Sequence, residues 1–230
     1  MKCDIGSCDA PLPESLHRFV REASFAQDLL AGRVWISTLE ACRKYERLGQ
    51  GDPGEAKHDY NTGGLSGDGD DPEFRRRAAI RGFNVHPGVK SFTIWGNEFS
   101  STLVDAYVLC LSDTDDPYLR ETFGNHRVSL SPVSEALIAI SEAMGARLDV
   151  TSAAIGRIRY RPRYSEGDER SPGPIGFVKP EDPFAPQREW RMLWTVAPPH
   201  DYQPFLLQCD ELAQYCHADD RDLNGLLQTA

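Results

Sequence analysis

One uninterrupted apolar run, Ala106-Tyr107-Val108-Leu109-Cys110-Leu111-Ser112, constrains the fold more than any other stretch of this chain. It is rich in β-formers, lacks polar alternation and is too short for a typical helix, so it reads as a buried strand. Pro117 and Gly124 punctuate the segment behind it. A second apolar stretch, Met192-Leu193-Trp194-Thr195-Val196, follows Gln187-Arg188-Glu189-Trp190-Arg191 and reads the same way, as a strand over 187–196. With 230 residues, 40% of them apolar, the chain is long enough for one full core, and a single domain over 1–230 is expected.

Around these two strands the other elements alternate. Ser15–Val20 reads as a strand. A helix is expected from Ser24 as N-cap through Phe25, Ala26, Leu29 and Leu30, with Gly32 as its stop. Val34–Ser37 is a strand, and Thr38 opens a helix carrying Cys42, Tyr45 and Leu48. Residues 49–74 are rich in Gly, Asp and Pro and are expected to form a mobile loop too polar to bury. Val89–Ile94 and Arg127–Leu130 suit strands, and Pro132–Ala146 has helical spacing through Val133, Leu137, Ile140 and Met144. Phe177–Lys179 and Phe205–Leu207 suit short strands, and the tail from Asp210 reads as helical, then frayed. Trp35, Trp190 and Trp194 read as core. Strands outnumber helices, and the class is α+β.

The formal net charge of -10 disfavours general attraction to nucleic acid or anionic membrane, though it leaves room for a local basic groove. No apolar run approaches the roughly 20 residues that span a bilayer, and the start Met1-Lys2-Cys3-Asp4 lacks an apolar export segment, so no membrane partner and a cytoplasmic location are expected. The cysteines (Cys3, Cys8, Cys42, Cys110, Cys209, Cys216) do not repeat with zinc-site spacing, and no metal is expected.

Two features carry chemistry. Gln187 and Glu189 are two apart, and on an extended chain they face the same way, toward one ligand. Arg157, Arg159, Arg161 and Arg163 alternate with Ile158, Tyr160 and Pro162, which predicts a half-exposed strand with a row of guanidinium groups on one face. Such a row, with tyrosines interleaved, suits phosphates and stacked bases.

Three separated pieces, taken in order, resemble the ADP-ribosyltransferase fold: Leu16-His17-Arg18-Phe19 with the helix and strand after it, the strand end Leu109-Cys110-Leu111-Ser112, and Gln187-Arg188-Glu189. The resemblance implies a mixed, mostly antiparallel split sheet with peripheral helices, and NAD as co-substrate. It implies that Arg18, or His17 in its place, shapes the dinucleotide site through the phosphates. It further implies that Ser112 supports the glutamate by hydrogen bonding, that Glu189 is catalytic and that Gln187 orients the acceptor. The central strand reads Cys-Leu-Ser where the toxin branch has Ser-Thr-Ser. The Cys-x-Ser strand, Phe123-Gly124 and Lys179 before Glu-Trp-Arg also resemble a large group of bacterial proteins that neighbour phage-defence and mobile elements.

These readings imply a mono-ADP-ribosyltransferase, a toxin or antiviral defence effector with a cognate antitoxin. Its acceptor would be a nucleic-acid base or a protein side chain, and both stand open. The alternative is a non-catalytic module that binds nucleic acid or an acidic partner through Arg157–Arg163. A metal-dependent nuclease ranks lower, since no compact acidic motif lies on an expected strand.

Overall fold

A computed structural model of the chain describes residues 11–45, 49–103, 105–169 and 171–218. Cys3, Cys8, Leu48 and the tail beyond 218 therefore lie outside the described residues. In chain order the elements are β1 (Leu16–Val20), α1 (Ala23–Leu30), β2 (Arg33–Thr38), α2 (Leu39–Lys44), β3 (Lys57–Asn61) and β4 (Leu65–Gly67). Then come α3 (Pro72–Ile80), β5 (Phe92–Ile94), β6 (Glu98–Thr102), β7 (Tyr107–Ser112), α4 (Pro117–Phe123), β8 (His126–Leu130) and α5 (Val133–Arg147). The remainder is β9 (Val150–Arg157), β10 (Arg159–Tyr160), β11 (Tyr164–Glu166), β12 (Val178–Lys179), β13 (Glu189–Val196), β14 (Phe205–Gln208) and β15 (Cys216–Ala218). The class is α+β, and the pairings are mostly antiparallel.

The central sheet is organised by β7. One of its edges pairs with β13 along its whole length, Ser112 opposite Glu189 and Tyr107 opposite Trp194, and β9 lies beyond β13. Two strands share the other edge. β2 takes the start, with Ser37 opposite Val108, and β1 takes the end, with His17 opposite Ser112. The sheet therefore divides there, continuing through β1, β8 and β15 on one branch and through β2 and β14 on the other.

Both faces of β7 and β13 are covered, which explains why neither strand alternates. Leu109, Leu111, Trp190, Met192 and Trp194 pack with Leu137, Ile140 and Met144 of α5. Val108 and Leu193 point the other way, against Leu39, Ala56 and Ala106. Trp194 satisfies its indole N–H on Ser141 Oγ at 3.1 Å inside the core. A smaller cluster of Leu65, Phe74, Ala78, Val85 and Ile94 holds α3 to β4 and β5.

Several expectations are corrected. The 49–74 segment is not one solvated loop: it contributes β3, β4 and the start of α3, and Asp52, Glu55 and Thr62 are buried within it. Its polar side chains are buried because distant partners satisfy them, and composition gives no sight of those partners. The expected strand from Ile155 to Tyr164 is broken, since β9 ends at Arg157, buried Ile158 intervenes and β10 pairs with β12 in parallel. Trp35 is 53% exposed, whereas Trp190 and Trp194 are buried as expected. Residues Asp210–Tyr215 form a 3-10 helix that leads into β15. Helix α1 starts at Ala23 with Glu22 as its cap, placing Ser24 inside the first turn. Helices α3 and α4 add to the expected elements, and each begins with an Asp cap followed by Pro at the first helical position: Asp71-Pro72 and Asp116-Pro117.

Gly32 ends α1 as expected, with φ +76, and its backbone lies against that of Cys209. A Cβ added there would meet the Cys209 carbonyl oxygen at 2.5 Å, besides the left-handed backbone penalty. Gly32→Ala is expected to cost about 2 kcal/mol, seen as a fall of roughly 4–8 °C in Tm in a thermal melt.

Candidate functional site

Glu189 starts β13 because the chain turns sharply before it. Ala185–Gln187 form a 3-10 turn, and Arg188 takes a left-handed conformation (φ 45, ψ 47) that redirects the backbone into the strand. Gln187 and Glu189 are thus not on one extended segment as expected, although both side chains border the same cavity. Gln187 is buried, and its side-chain amide donates to the Gly49 carbonyl. Ser112 Oγ donates to the Gln187 carbonyl at 2.7 Å and accepts from the Thr114 N–H at 3.2 Å. Contrary to the expectation that it supports the glutamate by hydrogen bonding, Ser112 braces the turn in front of Glu189 and does not bond the carboxylate.

The carboxylate is held by two cations. Glu189 Oε2 accepts from Lys179 Nζ at 2.6 Å. Its Oε1 accepts from Arg191 Nε at 3.0 Å and Nη2 at 2.8 Å. On its other side Arg191 donates to both oxygens of Glu55, at 2.7 and 3.1 Å, and to the Gly176 carbonyl at 2.8 Å. Lys179 Nζ also lies 3.6 Å from Glu55 Oε2, closing a ring of four charges. All four side chains are essentially buried, Arg191 completely. The Glu189 backbone N–H donates to Tyr160 Oη at 2.8 Å.

Burial opposes charge on each member, and the mutual attraction outweighs it. Burial by itself would raise the Glu189 pKa, but Arg191 and then Lys179 bring it down to about 2. Glu55 is likewise lowered, its desolvation overcome by Arg191 and Lys179. Lys179 and Arg191 are both raised against burial, each by Glu189 first and Glu55 second. The Cys110 thiol, one strand across from Arg191, is pushed well up by burial and by the Glu189 charge, so it stays protonated.

This network borders a small cavity of about 80 Å³, whose lining includes His17, Arg18, Ser112, Lys179, Gln187 and Glu189. The structure brings together all five residues proposed for the transferase site. The resemblance implied Arg18 or His17 in its place, and both line the cavity. It opens at the divided edge of the sheet, where consecutive residues Cys110, Leu111 and Ser112 also border it. Arg18 Nη1 donates to the Cys110 carbonyl there, and His17 Nδ1 bonds Ser129 Oγ at 2.9 Å. Arg18, Phe19, Gln50 and Phe123 also line a cleft of about 770 Å³ bounded by β1, α1 and β2. That cleft carries the exposed rings of Phe25, Trp35 and Tyr45 along with Arg21 and Arg33.

The arginine row is broken between β9 and β10, and its members differ in partners and exposure. Arg163 makes a two-pronged ion pair with buried Asp52. Arg157 lies 3.6 Å from Asp113, which Arg188 also contacts at 2.6 Å. Arg161 is exposed and Arg159 half-buried. A binding module using all four together loses its geometric basis. Among the four charged groups, Glu55 is the one the sequence does not suggest, while Lys179 and Arg191 figure in it only as neighbours of Glu189. Arg191 is foreshadowed by its position two beyond Glu189 on a strand, but nothing local to Glu55 marks it.

No family model, no curated protein and no solved structure matches this chain. Among the described residues, no helix is long and apolar enough to cross a membrane, and no group of three or more His, Cys, Asp or Glu side chains is placed to hold a metal.

The depressed Glu189 pKa sets a pH dependence. Its contribution to stability is fully present above about pH 4.5 and is lost as pH falls toward 2, a loss of about 3 kcal/mol. Urea unfolding across that range is expected to show this acid slope. Glu189→Gln should flatten it while costing about 3–5 kcal/mol at neutral pH, because two buried cations then share one carboxylate.

Proposed function

We propose that the chain is a mono-ADP-ribosyltransferase that takes ADP-ribose from NAD and passes it to a nucleic-acid base or a protein side chain. The observation that carries this reading is convergence. Arg18, Ser112, Gln187 and Glu189 come from three distant parts of the sequence, and they border one cavity at the divided edge of the sheet. The division between β1 and β2 supports an ADP-ribosyltransferase-like arrangement, with the substrate cleft between the two branches.

The cleft suits a dinucleotide. Its volume of about 770 Å³ falls in the ordinary range for cofactor-sized ligands. Arg18, Arg21 and Arg33 supply guanidinium groups for a pyrophosphate, and the exposed rings of Phe25, Trp35 and Tyr45 supply faces for a base. When the nicotinamide–ribose bond breaks, nicotinamide leaves with the bonding pair as a neutral ring, and positive charge develops on the ribose. An ionised carboxylate stabilises that charge, as in glycoside cleavage. Glu189, held anionic at any pH well above about 2, is that carboxylate. The acceptor attacks the ribose carbon as the nicotinamide leaves and releases its proton to solvent, with the Gln187 amide at hand to orient it. A defence effector or toxin, neutralised by a cognate antitoxin, is the physiological setting we propose.

The test is labelled NAD incubated with the protein and mixed DNA, RNA and lysate. Wild type is expected to transfer label or release nicotinamide, and Glu189→Gln, checked to be folded by its melt, should be slower by roughly 100-fold or more. Arg18→Ala is expected to raise KM for NAD about tenfold through the lost phosphate contact. No transfer and no nicotinamide release from wild type, or equal rates in wild type and Glu189→Gln, would contradict the proposal.

A further inference from the structure

Glu55 does not border the cavity, yet it is tied directly to the carboxylate that does. Its backbone is fixed first. The Glu55 N–H donates to the Asp52 carbonyl at 2.8 Å, and its own carbonyl accepts from Arg43 Nε at 2.8 Å. Asp52 is anchored in turn by the Arg163 fork. The Glu55 carboxylate then grips Nη1 and Nη2 of Arg191, and a planar guanidinium gripped on one edge has its orientation set. A second edge of the same plane, Nε and Nη2, holds one oxygen of Glu189. Lys179 holds the other oxygen and faces Glu55 as well.

The four charges sum to zero. Removing the Glu55 charge leaves two buried cations facing one carboxylate and releases the Arg191 plane on the side away from the cavity. We infer that Glu55 is a positioning residue of this site, which acts through Arg191 and Lys179 to hold the Glu189 carboxylate in one orientation toward the cavity. The inference rests on reading Glu189 as the reacting carboxylate. It gives the 49–74 segment a role in the chemistry that its composition conceals.

The experiment compares full-length wild type, Glu55→Gln and Glu55→Asp in NAD turnover against pH, together with a crystal structure of Glu55→Gln. Glu55→Gln keeps the shape and drops the charge. Its kcat is expected to fall ~10- to 100-fold, as a small misplacement of a reacting group does, with KM within about threefold. Lys179 is faced by Glu189, Glu55, Arg191, the Cys110 and Cys42 thiols, the Tyr160 hydroxyl and the Phe184 ring, so losing one carboxylate eases its deprotonation. An alkaline fall in kcat is therefore expected in Glu55→Gln at a pH where wild type is level. Glu55→Asp, which keeps the charge, should retain the wild-type pH profile and more activity than Glu55→Gln. In the crystal the Glu189 carboxylate of Glu55→Gln should be turned from its wild-type direction.

A Glu189 carboxylate unmoved in Glu55→Gln overturns the inference, whether or not the wild type consumes NAD. So does a fall in activity that merely tracks the folded fraction with an unchanged pH profile. Should Glu55→Gln fail to fold, Glu55→Asp decides: a changed pH profile there contradicts a role for the charge, and a retained one supports it. An inactive wild type with a displaced carboxylate in Glu55→Gln overturns the transferase reading alone.

Discussion

A guanidinium with no exposed surface sits at the centre of this protein, and much of the fold follows from satisfying it. Leaving water costs a charged side chain several kcal/mol, which is recovered only with well-placed counter-charges and hydrogen bonds. Arg191 has both: Glu189 on its Nε–Nη2 edge, Glu55 on its Nη1–Nη2 edge, and the Gly176 carbonyl on the remaining Nη1 hydrogen. These partners come from three separate stretches of chain. The requirement therefore draws the 49–74 segment, the 3-10 turn at Ile175–Phe177 and the start of β13 to one point. Lys179 on β12 completes the balance. A pair of apolar residues in the same place would fill the volume without fixing a direction. The ionic arrangement fixes one, and it aims a carboxylate at a cavity.

The divided edge of β7 provides the cavity. Because β2 leaves β7 after its first residues and β1 joins only at its last, the intervening edge is not closed by another strand. Arg18 reaches across that interval to the Cys110 carbonyl, satisfying a backbone acceptor that a neighbouring strand would otherwise take. The small cavity at Glu189 and the larger, ring-lined cleft share Arg18, Phe19, Gln50 and Phe123 as walls. A sheet that divides at one strand thus places a buried charge network beside a surface cleft of about 770 Å³.

What was legible in the sequence follows from which interactions are local. The runs at 106–112 and 192–196 announced themselves because both faces of each strand meet apolar layers. Gly32 was legible because a left-handed residue is a local backbone requirement. Glu55 was not, since its burial depends on a partner 136 positions away. The arginines from 157 to 163 share a spacing but not their partners, for Arg163 answers to Asp52 and Arg157 to Asp113. Trp35 looked like core by residue type, yet it stands exposed beside the cleft, where an aromatic face is useful for binding. The five residues that share the cavity were singled out together by their order along the chain. The bonds they make were not, as Ser112 shows by holding the turn and not the glutamate.

The central claim is that Glu189 stands ionised at the cavity, held by Lys179 and Arg191. The most direct measurement is an NMR titration of the protein labelled at the glutamate side-chain carboxyl carbons, with the Glu189 signal assigned by its loss in Glu189→Gln. The expected result is a midpoint near 2, far below the ordinary glutamate value of 4.5. A midpoint at or above 4.5 would mean that burial prevails over the two cations, and the account of the site would be wrong.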